Sequence, residues 1–292
     1  MIQTDKSWQG RLADSLIFLI LGLFCLIIIL PFMNLLSMSV SDELAIMSNR
    51  VTIFPVGFSI ASYAKVFQTI TILRAYGNTI YVAAIGCVLT LLATSIAAYP
   101  LAFADFAGQK VYNAMIMVTL WFSGGMVPTF LVMSKLGLID SLWALITGGL
   151  ISAYNVLILR SFYVTIPNDL IESARMDGSN DFHTLFKIVI PLSKAALATI
   201  ALWVVVGHWN DFMGPLIYLR DYRKYTLQLV LRDILMSAES SSLFDIMEGN
   251  RTAIPDQLKH AVIVVAMIPV LAIYPFIQKY FVKGVMLGAV KG

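Results

Sequence analysis

Six long stretches of this chain carry no Asp, Glu, Lys or Arg: 15–41, 75–104, 111–134, 141–159, 195–210 and 261–278. A helix that crosses a bilayer needs roughly 17–25 apolar residues. Four of the runs meet that length comfortably. The last two do so if a flanking charge snorkels or faces protein. Composition points the same way: 59% of the 292 residues are hydrophobic and 13% charged, where a soluble domain carries roughly 25% charge. The chain therefore reads as an all-α membrane protein with six transmembrane helices.

The first run follows Lys6 and Arg11, as a signal sequence would, but it exceeds an apolar core of roughly 7–15 residues. An uncleaved first span is the better reading. Six spans place both ends on one side. With the ends inside, the inner and outer segments each hold ten Lys/Arg, but the inside rule weighs short loops most. There the tail carrying Lys6 and Arg11, the 105–110 turn with Lys110, and the C-terminal Lys279, Lys283 and Lys291 outweigh the 135–140 turn with Lys135. That balance favours both termini inside.

Other chemistries find no support. Cys25 and Cys87 both lie in apolar runs, and His183, His208 and His260 are far apart with no ligand spacing. A glycine-rich phosphate loop ending in Lys-Ser/Thr is missing, so ATP is not bound by that route. The net charge of +3 is too small to argue for nucleic acid. Outside the runs, 51-VTIFPVGFSIASYAKVF-67, with Pro55, Gly57 and its aromatics, reads as a packed segment. Leu227, Val230, Leu231 and Ile234 recur at helical spacing, and the serines of 237-SAESSS-242 read as a flexible tip.

Charge concentrates instead in 171-IESARMDGSNDFHTLFKIVIPLSK-194, with three acids, three bases and a His. Pro167 disfavours helix before it. Asn168 or Asp169 can cap a helix running to about residue 177, and Gly178 fits the left-handed position that ends one. A helix this short does not hold itself in water, so its stripe of Leu170, Ile171 and Ala174 needs something docked against it. Ala174 is small enough to admit a partner closely. Ser179 or Asn180 can cap a second helix, in which Phe182, Leu185, Phe186 and Val189 line one apolar face. Pro191 then redirects the chain into the fifth span.

Glu172-Ser173-Ala174, three residues, Gly178, nine residues, then Ile188-Val189-Ile190-Pro191 resembles the EAA loop of ABC importer permeases. The spacing holds throughout; Ser173 replaces the second Ala and Ile190 the Leu. The stretches 121-WFSGGMVPTFLVMSKLGLIDSLWALI-146, 205-VVGHWNDFMGPLIYL-219 and 274-YPFIQKYFVKGVMLGAVKG-292 are similar to the carbohydrate-importer branch of MalG-like permeases, LplC-type ones among them. The resemblance covers the chain from about residue 12.

That resemblance implies a type I ABC importer permease fold in the bacterial cytoplasmic membrane, with both termini and a coupling helix in the cytoplasm. It implies a tail at 1–13, a six-span domain at 14–281 with its coupling loop at 165–194, and a C-terminal tail at 282–292. The partners implied are a homologous permease forming a heterodimer, two ATPase subunits that bind ATP and Mg, and an extracellular or periplasmic solute-binding protein. This chain would itself be non-catalytic and hold no cofactor. Glu172, Ser173, Ala174, Arg175, Asp177, Gly178, Ile188 and Pro191 would carry ATPase coupling. The cargo implied is an oligosaccharide, acidic ones such as alginate or aldouronate fragments included. Lys283, Gly288 and Lys291 either belong to a frayed end or reach the ATPase dimer. His208, Trp209, Asn210 and Asp211 close the fifth run, while Gly124 and Gly125 interrupt the third; both groups are candidates for the pathway or for structural roles. The competing class is an ion-coupled secondary carrier, which calls for acidic residues inside spans. The centres of all six runs lack them.

Overall fold

The computed structural model describes residues 8–103, 107–236 and 256–289, with the backbone alone for 9, 13 and 273–289. All regular structure among these residues is helical. In chain order the helices are α1 (Trp8–Ser39), α2 (Glu43–Met47), α3 (Ala61–Gln68), α4 (Ile70–Phe103), α5 (Gln109–Trp121), α6 (Met126–Lys135), α7 (Leu142–Thr147) and α8 (Ala153–Tyr163). There follow α9 (Asn168–Met176), α10 (Asp181–Thr184), a π-helical turn at Leu185–Val189, α11 (Ile190–Leu192), α12 (Lys194–Asn210) and α13 (Met213–Tyr218). The series ends with α14 over 227–236 and α15 (Asp256–Ala289). The chain divides into two compact units, Met1–Thr69 with Asp233–Met267 and Ile70–Arg232 with Ile268–Gly292.

In the first unit α1 exposes Leu, Ile and Phe all round its length, as suits a helix whose solvent is lipid. Its C-terminal end is polar and tied down. Asn34 donates to the Thr52 carbonyl at 2.7 Å, the Ser39 hydroxyl lies 2.7 Å from that of Tyr63, and Ser41 Oγ accepts from Val56 N at 3.0 Å. These bonds order much of the segment expected to be packed, although Phe54 and Phe58 stay exposed. Glu43 caps a distant helix: its carboxylate accepts from the backbone N–H groups of Asp256 at 2.7 Å and Gln257 at 3.1 Å, in the first turn of α15. Those donors have no partner within their own helix.

The second unit is organised on α4. Its buried residues include Ala75, Thr79, Ala83, Gly86, Thr90, Thr94 and Ala98, small residues at steps of three and four, beside the larger Ile72, Val82, Tyr99 and Leu101. Such a stripe lets neighbouring helices approach closely, the main source of helix association in lipid. Helices α7, α8 and α12 pack on it. Gly86 makes the closest approach: a Cβ built there would lie 2.5 Å from His208 Nε2 on α12. Buried Leu227, Val230 and Leu231 give α14 the apolar face that their spacing suggested.

Among the described residues two helices, Gly10–Ser39 and Ile70–Phe103, are long and apolar enough to cross a bilayer, and two bent pairs raise that to four if each counts as one span. The 111–134 run is one such pair, since α5 and α6 meet at 114°. Gly125 adopts φ +84° at that break, where the sequence placed an interruption. The 141–159 run is not one continuous span. It breaks into α7 and α8 across Gly148–Ser152, because two glycines weaken the helix there. The 195–210 run is α12, roughly 25 Å long, which joins Asp181–Leu192 at 83° through Ser193. The 261–278 run lies inside α15, whose backbone stays helical through the expected 281/282 boundary to Ala289. The serine-rich 237–242 segment lies outside the described residues.

Replacing Gly86 by Ala drives a methyl against the His208 ring and should destabilise the protein by about 1–3 kcal/mol. Adding His208→Ala should recover most of that loss. Thermal unfolding of the two variants in one detergent measures both effects.

Candidate functional site

Two features of the second unit have the build of functional sites, the 165–194 loop and a cavity at the far end of α12. In the loop, Pro167 (φ −57°, ψ 130°) stands just before α9, and no side chain caps that start, so neither Asn168 nor Asp169 serves. Ser179 N donates to Ala174 O at 2.9 Å and Gly178 N to Arg175 O at 3.0 Å. This is the paired closure of a helix on a left-handed residue, and Gly178 has φ +84°. Asn180 then caps the next helix, its side chain accepting from His183 N at 2.8 Å.

Packing decides which face of α9 is free. Ile171, Leu185 and Val189 are buried in one cluster with Tyr99 and Leu101 of α4, Leu159 and Tyr163 of α8 and Ile200 of α12. Ala174 is also buried, at 8% exposure. The expected stripe therefore divides: Ile171 and Ala174 are covered by the protein itself, while Leu170 is exposed. Glu172, Ser173, Arg175, Asp177 and Gly178 stay exposed, and so does Met176. Leu170, already named in that stripe, is exposed, as is Met176, which the sequence reading did not single out. Phe182 and Phe186 are exposed in the second segment. Arg175 is not free, because it pairs with Asp181 at 3.4 Å, and Tyr99 donates to the same carboxylate oxygen at 3.2 Å. An ion pair this exposed adds little stability. Ile188 lines a hollow of about 420 Å³ with Ala174, Asp177, Gly178 and His183, and Pro191 lies exposed beside the bend into α12.

The second feature is a cavity of about 580 Å³ bounded by α6, α7, α8, α12 and α13. Helix α12 supplies Trp203, Val204, Gly207, His208 and Asn210, with Asp211 just beyond it. Gly148 and Gly149 from the α7–α8 break line it as well, with Asn155 of α8 and Thr129 of α6. Non-helical backbone at membrane depth is tolerated where it lines such a space. His208, Asn210 and Asp211 thus meet as the sequence suggested. Trp209 does not: it is buried with its ring centroid 6.0 Å from that of Tyr76. Gly124 and Gly125 form the α5–α6 bend and do not line the cavity. The sequence reading missed Trp203, although Trp203, Gly207 and Asn210 recur as a helical stripe. Asn155, Thr129 and Tyr218 come from other helices and carried no signal.

Asp140 holds one rim. Its N–H donates to Tyr218 O at 2.7 Å, and its carboxylate accepts from Arg220 N at 3.0 Å and Asp221 N at 2.9 Å. Lys224 Nζ reaches that carboxylate at 2.8 Å. The Asp221 N–H first, then the Lys224 ammonium and the Arg220 N–H, hold the Asp140 carboxyl well below the usual carboxylate range. The Tyr218 ring stacks on Phe130 with centroids 6.3 Å apart. The candidate tail contact Lys283, Gly288 and Lys291 lies outside the described side chains.

Helices bent around a cavity with one polar wall, and an amphipathic loop fastened to the same core, have the build of a transport permease, a passage across a membrane. The chain belongs to the family of binding-protein-dependent transport system inner membrane components, which matches residues 4–287. It is 42% identical over 286 residues to the polygalacturonan/rhamnogalacturonan transport system permease protein YtcP of Bacillus subtilis (strain 168), covering 97% of this chain and all of that one. It is 40% identical to protein LplC of the same organism, over 97% of this chain and 96% of that one. Its structure matches a chain from the crystal structure of a bacterial ABC transporter involved in the import of the acidic polysaccharide alginate. The TM-score is 0.86, at 32% identity, over 94% of this chain and 98% of that one.

Asp140→Ala should cut amide-exchange protection at Arg220 and Asp221 roughly tenfold, as for one or two net hydrogen bonds at about 1 kcal/mol each. Because the native carboxyl titrates below its unfolded value, its contribution is complete above about pH 4. It is lost as the pH falls from there through the native value. Hydrogen exchange at several pH values checks both the size and the direction.

Proposed function

We propose that this chain is a membrane-spanning permease subunit of an ATP-driven oligosaccharide importer, coupled to separate ATPases through the free face of α9. The observation that carries the coupling is the division of that helix. Ile171 and Ala174 are fixed to the helical body, while Glu172, Met176 and Asp177 project outward with no partner of their own among the described residues. A charged rim around exposed Leu170 and Met176 suits a protein cleft, where charge-assisted bonds set register. In this reading Glu172 pairs with a basic residue of the ATPase.

The sugar comes from kinship: relatives that carry polygalacturonan, rhamnogalacturonan and alginate make an acidic oligosaccharide the leading cargo. The full assembly is this chain with a homologous permease, two ATPases and a solute-binding protein. In it this chain crosses the cytoplasmic membrane six times with both termini and the coupling loop in the cytoplasm. ATP and Mg are bound by the ATPases, and the C-terminal tail with Lys283, Gly288 and Lys291 reaches towards them. The cavity beside Trp203 and His208 lies on the pathway.

Glu172→Ala should lower ATP-driven uptake by the reconstituted complex at least tenfold while the chain still inserts in the membrane. Gly178→Asp tests close approach. Among the described residues, its chain neighbours aside, nothing lies within 4 Å of a Cβ at that position, so against them the substitution costs only the strain of a left-handed residue, about 1–2 kcal/mol. An equal loss of uptake therefore reports a partner surface pressed against Gly178. Wild-type uptake in both variants at normal expression would overturn the coupling role.

A further inference from the structure

We infer that the cavity of about 580 Å³ in this subunit is itself a saccharide subsite, and that it takes a sugar ring by its hydroxyl edge, with any carboxylate of that ring turned away. The inference rests on the proposed importer role and assigns the chemistry of one wall of its pathway. The volume falls within the range of small-ligand sites.

The aromatic wall is Trp203, which is 37% exposed and lies 5.6 Å from Tyr154, centroid to centroid. A broad indole left open at the side of a polar cavity offers a flat apolar surface with a polar edge, matching the C–H face of a pyranose ring. The polar wall is short of partners. Asn155 is 9% exposed and lines the cavity, yet no hydrogen bond reaches its side chain among the described residues. One oxygen of Asp211 accepts from Gly214 N at 3.0 Å, and the other is left for a donor. His208 and Asn210 complete this wall, the imidazole seated in the notch that Gly86 leaves. An apolar helix laid over these groups would strand them without partners, which is costly. A polyhydroxylated ring supplies both donors and acceptors.

Charge sets the selectivity. Among the described residues no Lys or Arg lines the cavity, while the Asp211 carboxylate does. A carboxylate accepts bonds from sugar hydroxyls but repels another carboxylate in a low-dielectric site. The acid groups of a uronate-bearing cargo must therefore face away from this wall.

The test uses the complete transporter in proteoliposomes with saturating binding protein. The probes are an oligogalacturonide, a rhamnogalacturonan fragment, an alginate trimer and neutral arabinotriose. Trp203→Leu, which keeps the apolar bulk, should slow uptake about tenfold, whereas Trp203→Phe should stay within threefold of wild type. Asp211→Asn keeps the bond to Gly214 and removes the charge. It should shift the uptake ratio of acidic to less acidic or neutral probe at least threefold towards the more acidic one. Equal behaviour of the two Trp203 variants, or an unchanged ratio in Asp211→Asn, overturns the subsite. Loss of complex assembly in both Trp203 variants would also overturn it, because the cavity would then seat a side chain of the second permease. A wild-type complex that takes up none of the probes would instead refute the sugar-importer reading itself.

Discussion

The second unit depends on what α4 lacks. Lipid tails are as apolar as Leu, so a buried Leu gains little by leaving them for another helix, and close backbone packing must supply the association. From Ala75 to Ala98 the buried residues of α4 are Thr or smaller apart from Val82, with Ala75, Thr79, Ala83, Gly86, Thr90, Thr94 and Ala98 recurring at steps of three and four. That allows α8 and α12 to lie against it. At Gly86 even a methyl would be too much, because the His208 ring fills the space. The polar wall of the cavity thus begins with a missing side chain on the helix behind it.

Much of this architecture could be read before any coordinates. Charge-free runs located α1, α4 and α12 closely, since the cost of charge in a bilayer leaves a plain trace in sequence. The loop was legible in finer detail. Pro167, Gly178 and Asn180 each have a local backbone job, and each does it where expected. What escaped was set by tertiary structure. An apolar run does not distinguish one straight span from two short helices, so the α7–α8 break was hidden although Gly148 and Gly149 stood in view. Ala174 looked like a seat for a partner because smallness says only that something comes close, and here it is the protein's own body. The cavity was seen as one cluster at 207–211, yet consecutive residues on a helix point to different sides: His208, Asn210 and Asp211 line the cavity while Trp209 turns to Tyr76.

The anchoring of α9 answers why a nine-residue helix exists at all. Alone it is far below the length at which helices persist in water. Full burial of an Ile, Leu or Val side chain contributes about 1.5–3 kcal/mol, and Ile171, Leu185 and Val189 are all at or below 3% exposure. Those three contacts outweigh the exposed Arg175–Asp181 pair. Helix α9 is therefore held by Ile171 and by the buried turn that follows it, while Arg175 pairs with Asp181 and Glu172 keeps its side chain exposed.

One helix connects the two candidate sites. Helix α12 starts at Ser193, where the chain turns 83° out of the loop segment, and ends at Asn210 on the cavity wall. Along its length Ala196 and Ile200 belong to the cluster that holds Ile171, while Trp203, Gly207 and His208 face the cavity. Loop anchor and cavity wall are thus successive turns of a single rigid element about 25 Å long. In the proposed importer a push on α9 would pass through the packing of Ile171 into α12 and along that helix to the cavity. The π turn at Leu185–Val189 and the bend at Ser193 are the irregular points on that route, and buried Leu185 and Val189 pin the first of them to the core. Any relative motion of loop and cavity must then be taken up at Ser193 or in the packing of α12 on α4, where Gly86 and His208 leave the least room to slide.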